Sequence, residues 1–89
     1  MKKRAHVSRW IVYVLRCADG SLYTGITNDL PRRLAAHRAG TASRYTRARG
    51  PLRVVHREPA VDRGAALKRE AAIKRLPRVA KLALIGSGS

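Results

Sequence analysis

The strongest constraint on the fold of this chain is the run at residues 10–16, in which both alternating sets of side chains are apolar up to the last residue. A strand with two apolar faces is buried on both sides, so we expect helices on both faces of its sheet. A second run, rich in β-branched and aromatic residues, follows at 22–27, and the Asp19-Gly20 pair between the runs is typical of a tight turn. The pattern predicts a β-hairpin.

The rest of the chain predicts one more strand and three helices. In order, we expect a helix from Asn28 or Asp29 to about Gly40, a basic loop over 41–50, a strand over 52–57 closed by Pro59, a helix from Asp62 to Leu76, and a short helix from Pro77 to about Leu84. The order β-β-α-β-α-α predicts an α/β (α+β) sandwich with a three-stranded antiparallel sheet flanked by helices. We place this domain at 10–85, between a basic flexible arm at 1–9 and a flexible tail at 86–89.

The charge of the chain indicates a polyanionic partner. Its 89 residues, enough for one domain, include 20 Lys and Arg against 5 Asp and Glu, a net charge of +15. Fifteen of the cations are Arg, which binds phosphate in a bidentate manner, so we expect nucleic acid and not a membrane as the partner. We expect no small-molecule cofactor. The single cysteine, Cys17, has no partner for an internal disulfide, which fits packing in the core and a cytoplasmic location.

The length of the hairpin loop decides which tyrosines share a face of the sheet. A two-residue turn would pair Tyr13 with Ile26 and place Tyr13 and Tyr23 on opposite faces. A three-residue loop with Gly20 in the left-handed conformation would pair Tyr13 with Gly25 and place both tyrosines on one face. The sequence is compatible with either register, but only the second opens space beside the hydroxyl groups. Each tyrosine alone also fits a packing role.

The first predicted helix has an unusual face. At about 100° per residue, one arc contains Leu30, Arg33, Leu34 and His37, whereas Arg32 lies near the opposite side. An arginine that faces the core needs an anionic partner or a cleft, so Arg33 marks a candidate site. The alternatives are that Arg33 extends along its stem to water and that His37 is a hydrogen-bonded structural residue.

Glu70 stands among cations in the next long helix. Its ordinary interpretation is an ion pair with Lys74, four residues further along the helix. The functional interpretation is a single oxygen ligand for Mg²⁺ or Mn²⁺, with water and a substrate phosphate completing the coordination.

The predicted loop at 41–50 interleaves an aromatic residue with cations, a composition typical of surfaces that follow a nucleic-acid strand. Its candidate contacts are Arg44, Tyr45, Arg47 and Arg49. Arg32 and Lys74 complete the predicted nucleic-acid-binding residues. An ordinary solvated loop is the alternative. His6 and His56 show no metal-ligand spacing, so we expect both to be structural.

Several separated motifs resemble the signature of the GIY-YIG nuclease superfamily. They are Ile11-Val12-Tyr13-Val14-Leu15, the run from Leu22 through Gly25 to Leu30, Arg32-Arg33-Leu34 with His37, and Glu70 followed by Ile73-Lys74. The match extends from about residue 10 to residue 82 and is similar to the small stand-alone bacterial (YhbQ-like) members. This resemblance implies a sandwich around a three-stranded antiparallel sheet and cleavage of DNA phosphodiester bonds that depends on a divalent metal.

The resemblance also implies site residues. Its catalytic set corresponds to Tyr13, Tyr23, Arg33, His37 and Glu70, with Glu70 as the metal ligand. The motifs read Ile-Val-Tyr and Tyr-Thr-Gly here, and the late asparagine of many members is absent because Asn28 is the only asparagine. Either tyrosine could be the base, with its pKa lowered by Arg33 and the metal.

We therefore expect an endonuclease that uses one Mg²⁺ or Mn²⁺ ion on DNA, in the cytoplasm and in DNA repair. Selectivity for a DNA structure or for single strands is expected rather than for a sequence, because one short domain leaves little surface for base readout. RNA as a substrate and protein partners stay open. The alternative is a non-catalytic DNA- or RNA-binding module that uses the same basic surface.

Overall fold

The computed structural model of the chain describes residues 9–88. In that range the elements are β1 (Trp10–Cys17), β2 (Leu22–Thr27), α1 (Leu30–Ala39), α2 (Arg44–Arg47), β3 (Leu52–Ala60), α3 (Arg63–Arg75) and α4 (Arg78–Gly88). The strands form one antiparallel sheet in the order β2-β1-β3. The predicted sandwich and its order of elements are confirmed, with one short helix, α2, added.

Strand β1 lies at the centre of the sheet and is covered on both faces, as its two apolar faces predict. One core cluster contains Tyr13, Leu15, Cys17, Leu30 and Leu52, with Leu34 of α1 packed against it. The cluster on the opposite face contains Val12, Val14, Ala66 and Ile73, with Leu84 and Ile85 of α4 packed against it. Helix α1 therefore covers one face, and α3 and α4 cover the other.

The hairpin adopts the register with the three-residue loop. The backbone N–H of Cys17 donates to the carbonyl of Ser21 at 2.9 Å, and Gly20 has φ 85°, the left-handed conformation that favours glycine. Tyr13 is consequently paired with Gly25, and Leu15 with Tyr23. Both tyrosines therefore lie on the face that α1 covers.

The helix boundaries follow from capping. The Asp29 carboxylate accepts the backbone N–H of Arg32 at 3.2 Å, and α1 ends at Gly40, whose φ is 81°. The Asp62 carboxylate accepts the N–H of Ala65 at 2.8 Å and begins α3. Both predicted starts are confirmed.

The prediction of a loop without secondary structure over 41–50 is wrong, because this segment contains α2. Ser43 caps this single turn, and its hydroxyl oxygen accepts the N–H of Tyr45 at 3.1 Å. A helix of four residues is too short to show the apolar periodicity on which a sequence prediction rests.

Two predicted ends also need correction. Strand β3 continues through Pro59 to Ala60, and it can do so because an edge strand tolerates a residue without an N–H group. Helix α4 continues to Gly88 instead of ending near Leu84, since Leu84 and Ile85 both pack against the core. Residues 86–88 of the predicted tail are therefore helical. Residues 1–8 of the predicted arm and residue 89 lie outside the described residues.

A partly exposed ion pair joins β3 to α3. Arg69 donates from Nε and Nη2 to the two carboxylate oxygens of Glu58, at 2.8 and 2.9 Å, and this bidentate contact holds the pKa of Glu58 at about 2. His56 Nε2 lies 2.8 Å from the same carboxylate. His56 therefore has the structural surroundings expected of it. No helix within residues 9–88 is long and apolar enough to cross a bilayer.

Replacing Ile73 tests how far this small core depends on α3. Ile73 is 1% exposed, so Ile73→Ala leaves a cavity and should lower the free energy of unfolding by about 2–4 kcal/mol, measured by urea denaturation. Val79 is 75% exposed, so Val79→Ala should change the free energy of unfolding by no more than about 0.5 kcal/mol. Equal losses of unfolding free energy in the two variants would show that the stability of the core does not depend on Ile73 of α3.

Candidate active site

A buried hydrogen bond joins the sheet to α1 at the centre of the site. The Tyr13 hydroxyl lies 2.8 Å from His37 Nε2, and the residues are 1% and 2% exposed. Tyr13 comes from the middle of the central strand and His37 from the last turn of α1. The central strand and α1 therefore hold the contact between them.

Gly25 makes room for the Tyr13 side chain. A Cβ atom at position 25 would lie 2.6 Å from the Tyr13 hydroxyl oxygen, which is closer than real Cβ contacts come. The space expected beside the tyrosines is therefore filled by Tyr13 itself. Glycine is required there because the ring crosses over the neighbouring strand.

His37 has a second hydrogen-bond partner, which the sequence did not predict. Its Nδ1 lies 2.8 Å from the Thr46 hydroxyl oxygen, and Thr46 is 1% exposed. Thr46 belongs to α2, the helix that was predicted as loop. A threonine in a polar segment without periodicity carries no signal of burial, so the sequence offered no means of finding it.

An aromatic cluster surrounds His37. The Tyr23 ring centroid lies 5.2 Å from that of His37, 6.4 Å from that of Tyr13 and 5.9 Å from that of Tyr45. The Arg49 guanidinium stacks on Tyr45 at 3.9 Å, and Arg49 Nε lies 3.2 Å from an Asp19 carboxylate oxygen. Tyr45 and Arg49, both predicted to bind nucleic acid, thus already have partners within the protein.

Arg33 lies on the predicted arc of α1, but its side chain is exposed instead of buried toward the core. The helical arc gives the direction of a residue but not its depth, and the long arginine stem carries the charge to the rim, the alternative considered for it. Its positive charge nevertheless acts on both Tyr13 and His37. The other predicted contacts Arg32, Arg44 and Arg47 are also exposed.

The pKa values of Tyr13 and His37 move in opposite directions. Burial is the main cause of the raised pKa of Tyr13; Tyr23 and Glu70 add to it, and Arg33 opposes it. Burial, followed by the charge of Arg33, lowers the pKa of His37. Both groups are therefore neutral near pH 7. Arg33 lowers the pKa of Tyr13, as expected, but desolvation outweighs this single exposed charge, so the net pKa of Tyr13 is raised.

The surroundings of Glu70 fit both the ion-pair and the metal-ligand interpretation of the sequence. Its carboxylate lies 3.2 Å from Lys74 Nζ, as the ion-pair interpretation predicts, and the Glu70 side chain is only 19% exposed. Glu70 also raises the pKa of Tyr13, which brings its charge into the site. Residues 9–88 contain no group of three or more His, Cys, Asp or Glu that could hold a metal ion. A single carboxylate fits only a hard cation that keeps most of its water, such as Mg²⁺.

A protein-family model described as the GIY-YIG catalytic domain matches residues 9–82, which include all five of these candidate residues. The chain belongs to the GIY-YIG family. The predicted resemblance is thereby confirmed over most of the chain.

Relatives and a solved structure agree with this GIY-YIG assignment. A UPF0213 protein of Xanthomonas axonopodis pv. citri is 53% identical over 74 residues, 83% of this chain and 72% of the relative. A UPF0213 protein of Oceanobacillus iheyensis is 49% identical over 74 residues, 83% of this chain and 86% of the relative. The solution NMR structure of a UPF0213 protein from Bacillus halodurans has a TM-score of 0.59 at 40% identity, covering 90% of this chain and 86% of that chain.

The pKa of His37 tests the electrostatics of this GIY-YIG site. NMR titration of its ring should give a pKa below 6.5 in the folded protein. Arg33→Ala should raise that pKa, because it removes a positive charge, whereas Arg32→Ala on the other side of α1 should change it less. The His37 ring binds a proton more readily in the unfolded chain than in the folded protein. Its contribution to the free energy of unfolding is therefore present above pH 6.5 and is lost as the pH falls through the folded pKa. A folded pKa at or above 6.5 would contradict the burial of His37.

Proposed function

We propose that this protein is a divalent-metal-dependent endonuclease that hydrolyses DNA phosphodiester bonds. The observation that carries the proposal is the buried Tyr13–His37 contact, with Arg33 at its rim and the Glu70 carboxylate close enough to affect Tyr13. A neutral buried pair of this kind adds nothing to simple phosphate binding. It is the arrangement expected where a reacting group must be held in place.

Tyr23 is the tyrosine that takes the proton from the attacking water. Tyr13 is 1% exposed and its raised pKa keeps its proton in place, so it is poorly suited to act as a base. Tyr23 is only half-buried, and its ring packs against the rings of Tyr13 and His37. With its own hydroxyl proton given up to solvent, Tyr23 accepts the water proton as the water oxygen bonds to phosphorus. The 3′ oxygen leaves with the electron pair of the broken bond and takes a proton from solvent. Tyr13 and His37 keep the Tyr23 ring in position.

Arg33 and Glu70 have different roles at the phosphate. Arg33 binds it directly, whereas Glu70 would act on it through a metal ion. Arg33, on the exposed rim, binds the scissile phosphate and offsets the negative charge that grows in the transition state. Glu70 would hold Mg²⁺ or Mn²⁺, and the ion would supply a Lewis acid to stabilise the leaving oxygen. Lys74 is 54% exposed, so its ammonium group can leave Glu70 for solvent or for a neighbouring phosphate.

The surface around the site suits nucleic-acid backbone more than base edges. The exposed side chains of Arg32, Arg44 and Arg47 contact the phosphates of the nucleic acid. Tyr45 and Arg49 already contact Tyr23 and Asp19, so they bind the nucleic acid only by giving up these contacts. We therefore propose selectivity for DNA structure or for single strands, in the cytoplasm and in DNA repair.

The metal requirement is tested by cleavage of labelled single-stranded, duplex, flap and junction DNA. We expect cleavage with Mg²⁺ or Mn²⁺, none with EDTA, and a loss of at least about a hundredfold in Glu70→Gln. Asp62→Asn is the matched control, because it removes the same charge and asparagine still caps α3. Tight, salt-sensitive binding without products on every substrate would favour the non-catalytic module instead.

The two tyrosines are separated by their phenylalanine variants. Tyr23→Phe removes the base and should lower the cleavage rate by about a hundredfold to ten thousandfold. Tyr13→Phe keeps the ring beside Tyr23 and should cost less, at most about a hundredfold. Rates are compared in single-turnover reactions at saturating protein. A larger loss in Tyr13→Phe than in Tyr23→Phe would assign the base to Tyr13.

A further inference from the structure

The histidine of the site is held by two hydrogen bonds at once, and these bonds determine which of its nitrogens carries the proton. His37 Nε2 lies 2.8 Å from the Tyr13 hydroxyl and His37 Nδ1 lies 2.8 Å from the Thr46 hydroxyl. The Thr46 hydroxyl in turn donates to the backbone carbonyl of Ser43 at 3.4 Å. Four groups therefore form one continuous chain from β1 to the start of α2.

The far end of this chain favours one direction. A carbonyl oxygen can only accept a hydrogen bond, so the 3.4 Å contact of Thr46 with Ser43 uses the single hydroxyl proton of Thr46. The Thr46 oxygen must then accept from His37, which places the imidazole proton on Nδ1. A neutral imidazole with a proton on Nδ1 has a bare Nε2, and this atom accepts the Tyr13 hydroxyl proton.

The opposite direction is disfavoured by burial. A proton on Nε2 of His37 would donate to the Tyr13 oxygen, and the Tyr13 hydroxyl proton would then lose its acceptor in a residue that is 1% exposed. Thr46 would also have to give its proton to Nδ1 and abandon the Ser43 carbonyl. Unpaired polar groups are costly when buried, so both ends of the chain select the same tautomer.

We propose that Thr46 is a positioning residue that holds His37 in the tautomer with the proton on Nδ1 and so keeps the Tyr13 proton directed at His37. Thr46 of α2 thereby sets the direction of the hydrogen bond between His37 and Tyr13. The effect on cleavage rests on the proposed function, whereas the tautomer is a property of the free protein.

Two substitutions at position 46 separate this role from simple packing. Thr46→Val keeps the shape of the side chain and removes the hydroxyl group, whereas Thr46→Ser keeps the hydroxyl group and removes the methyl group. Nitrogen-15 NMR of His37 should show Nδ1 protonated in the parent and in Thr46→Ser. In Thr46→Val it should show a mixture of tautomers or protonation at Nε2. Urea denaturation identifies variants that fail to fold.

Cleavage is measured on the same three proteins. We expect Thr46→Val to lose at least about tenfold and Thr46→Ser to stay within about threefold of the parent. A parental tautomer in folded Thr46→Val would overturn the proposal, as would greater loss of cleavage in Thr46→Ser than in Thr46→Val. If the tautomer changes in Thr46→Val but the parent protein cleaves no DNA, the positioning role stands and the proposed nuclease function fails.

Discussion

The crossing of the Tyr13 ring over Gly25 is the contact on which the rest of the site depends. The hydroxyl of Tyr13 reaches His37 only because position 25 has no Cβ, and Gly25 lies opposite Tyr13 only because the hairpin loop has three residues. A shift of one residue in the register would send alternate side chains to the other face. The left-handed Gly20 that closes the loop therefore determines, through the register, whether the site exists.

The five carboxylates of this strongly basic chain have separate duties, and their distribution favours Glu70 as the metal ligand. Asp29 and Asp62 cap helices, Asp19 contacts Ser21 and Arg49, and Glu58 is clamped by Arg69. Glu70 differs because its ion-pair partner, Lys74, is 54% exposed, and a pair of that kind contributes little to stability. Exchanging Lys74 for a cation bound together with the substrate thus costs the fold little.

Local patterns predicted the backbone of this protein better than the depth of its side chains. Two apolar faces identified the central strand, and Asp29, Gly40 and Asp62 marked helix ends, because each signal resides in neighbouring residues. The hairpin register was left with two possibilities, since the sequence does not determine the length of the loop. The direction of Arg33 on its helix was predicted, but its exposure depends on how α1 sits on the sheet.

Contacts between distant segments were beyond the reach of the sequence. The packing of Tyr45 against Tyr23 and the bond from Thr46 to His37 join a polar segment to elements that were predicted separately. Nothing in the residues 41–50 distinguishes a buried threonine from a solvated one. Thr46 is identified only from the structure, as the hydrogen-bond partner that the buried Nδ1 atom of His37 requires.

A small core tolerates a buried polar chain of this kind only if every link is satisfied. Tyr13, His37 and Thr46 are each at most 2% exposed, so none of them can turn to water for a missing partner. Neutrality lowers the cost of burial, since Tyr13 and His37 would lose far more solvation as ions. The same condition that stabilises the fold keeps the Tyr13 proton in place, whereas Tyr23 beside it is only half-buried.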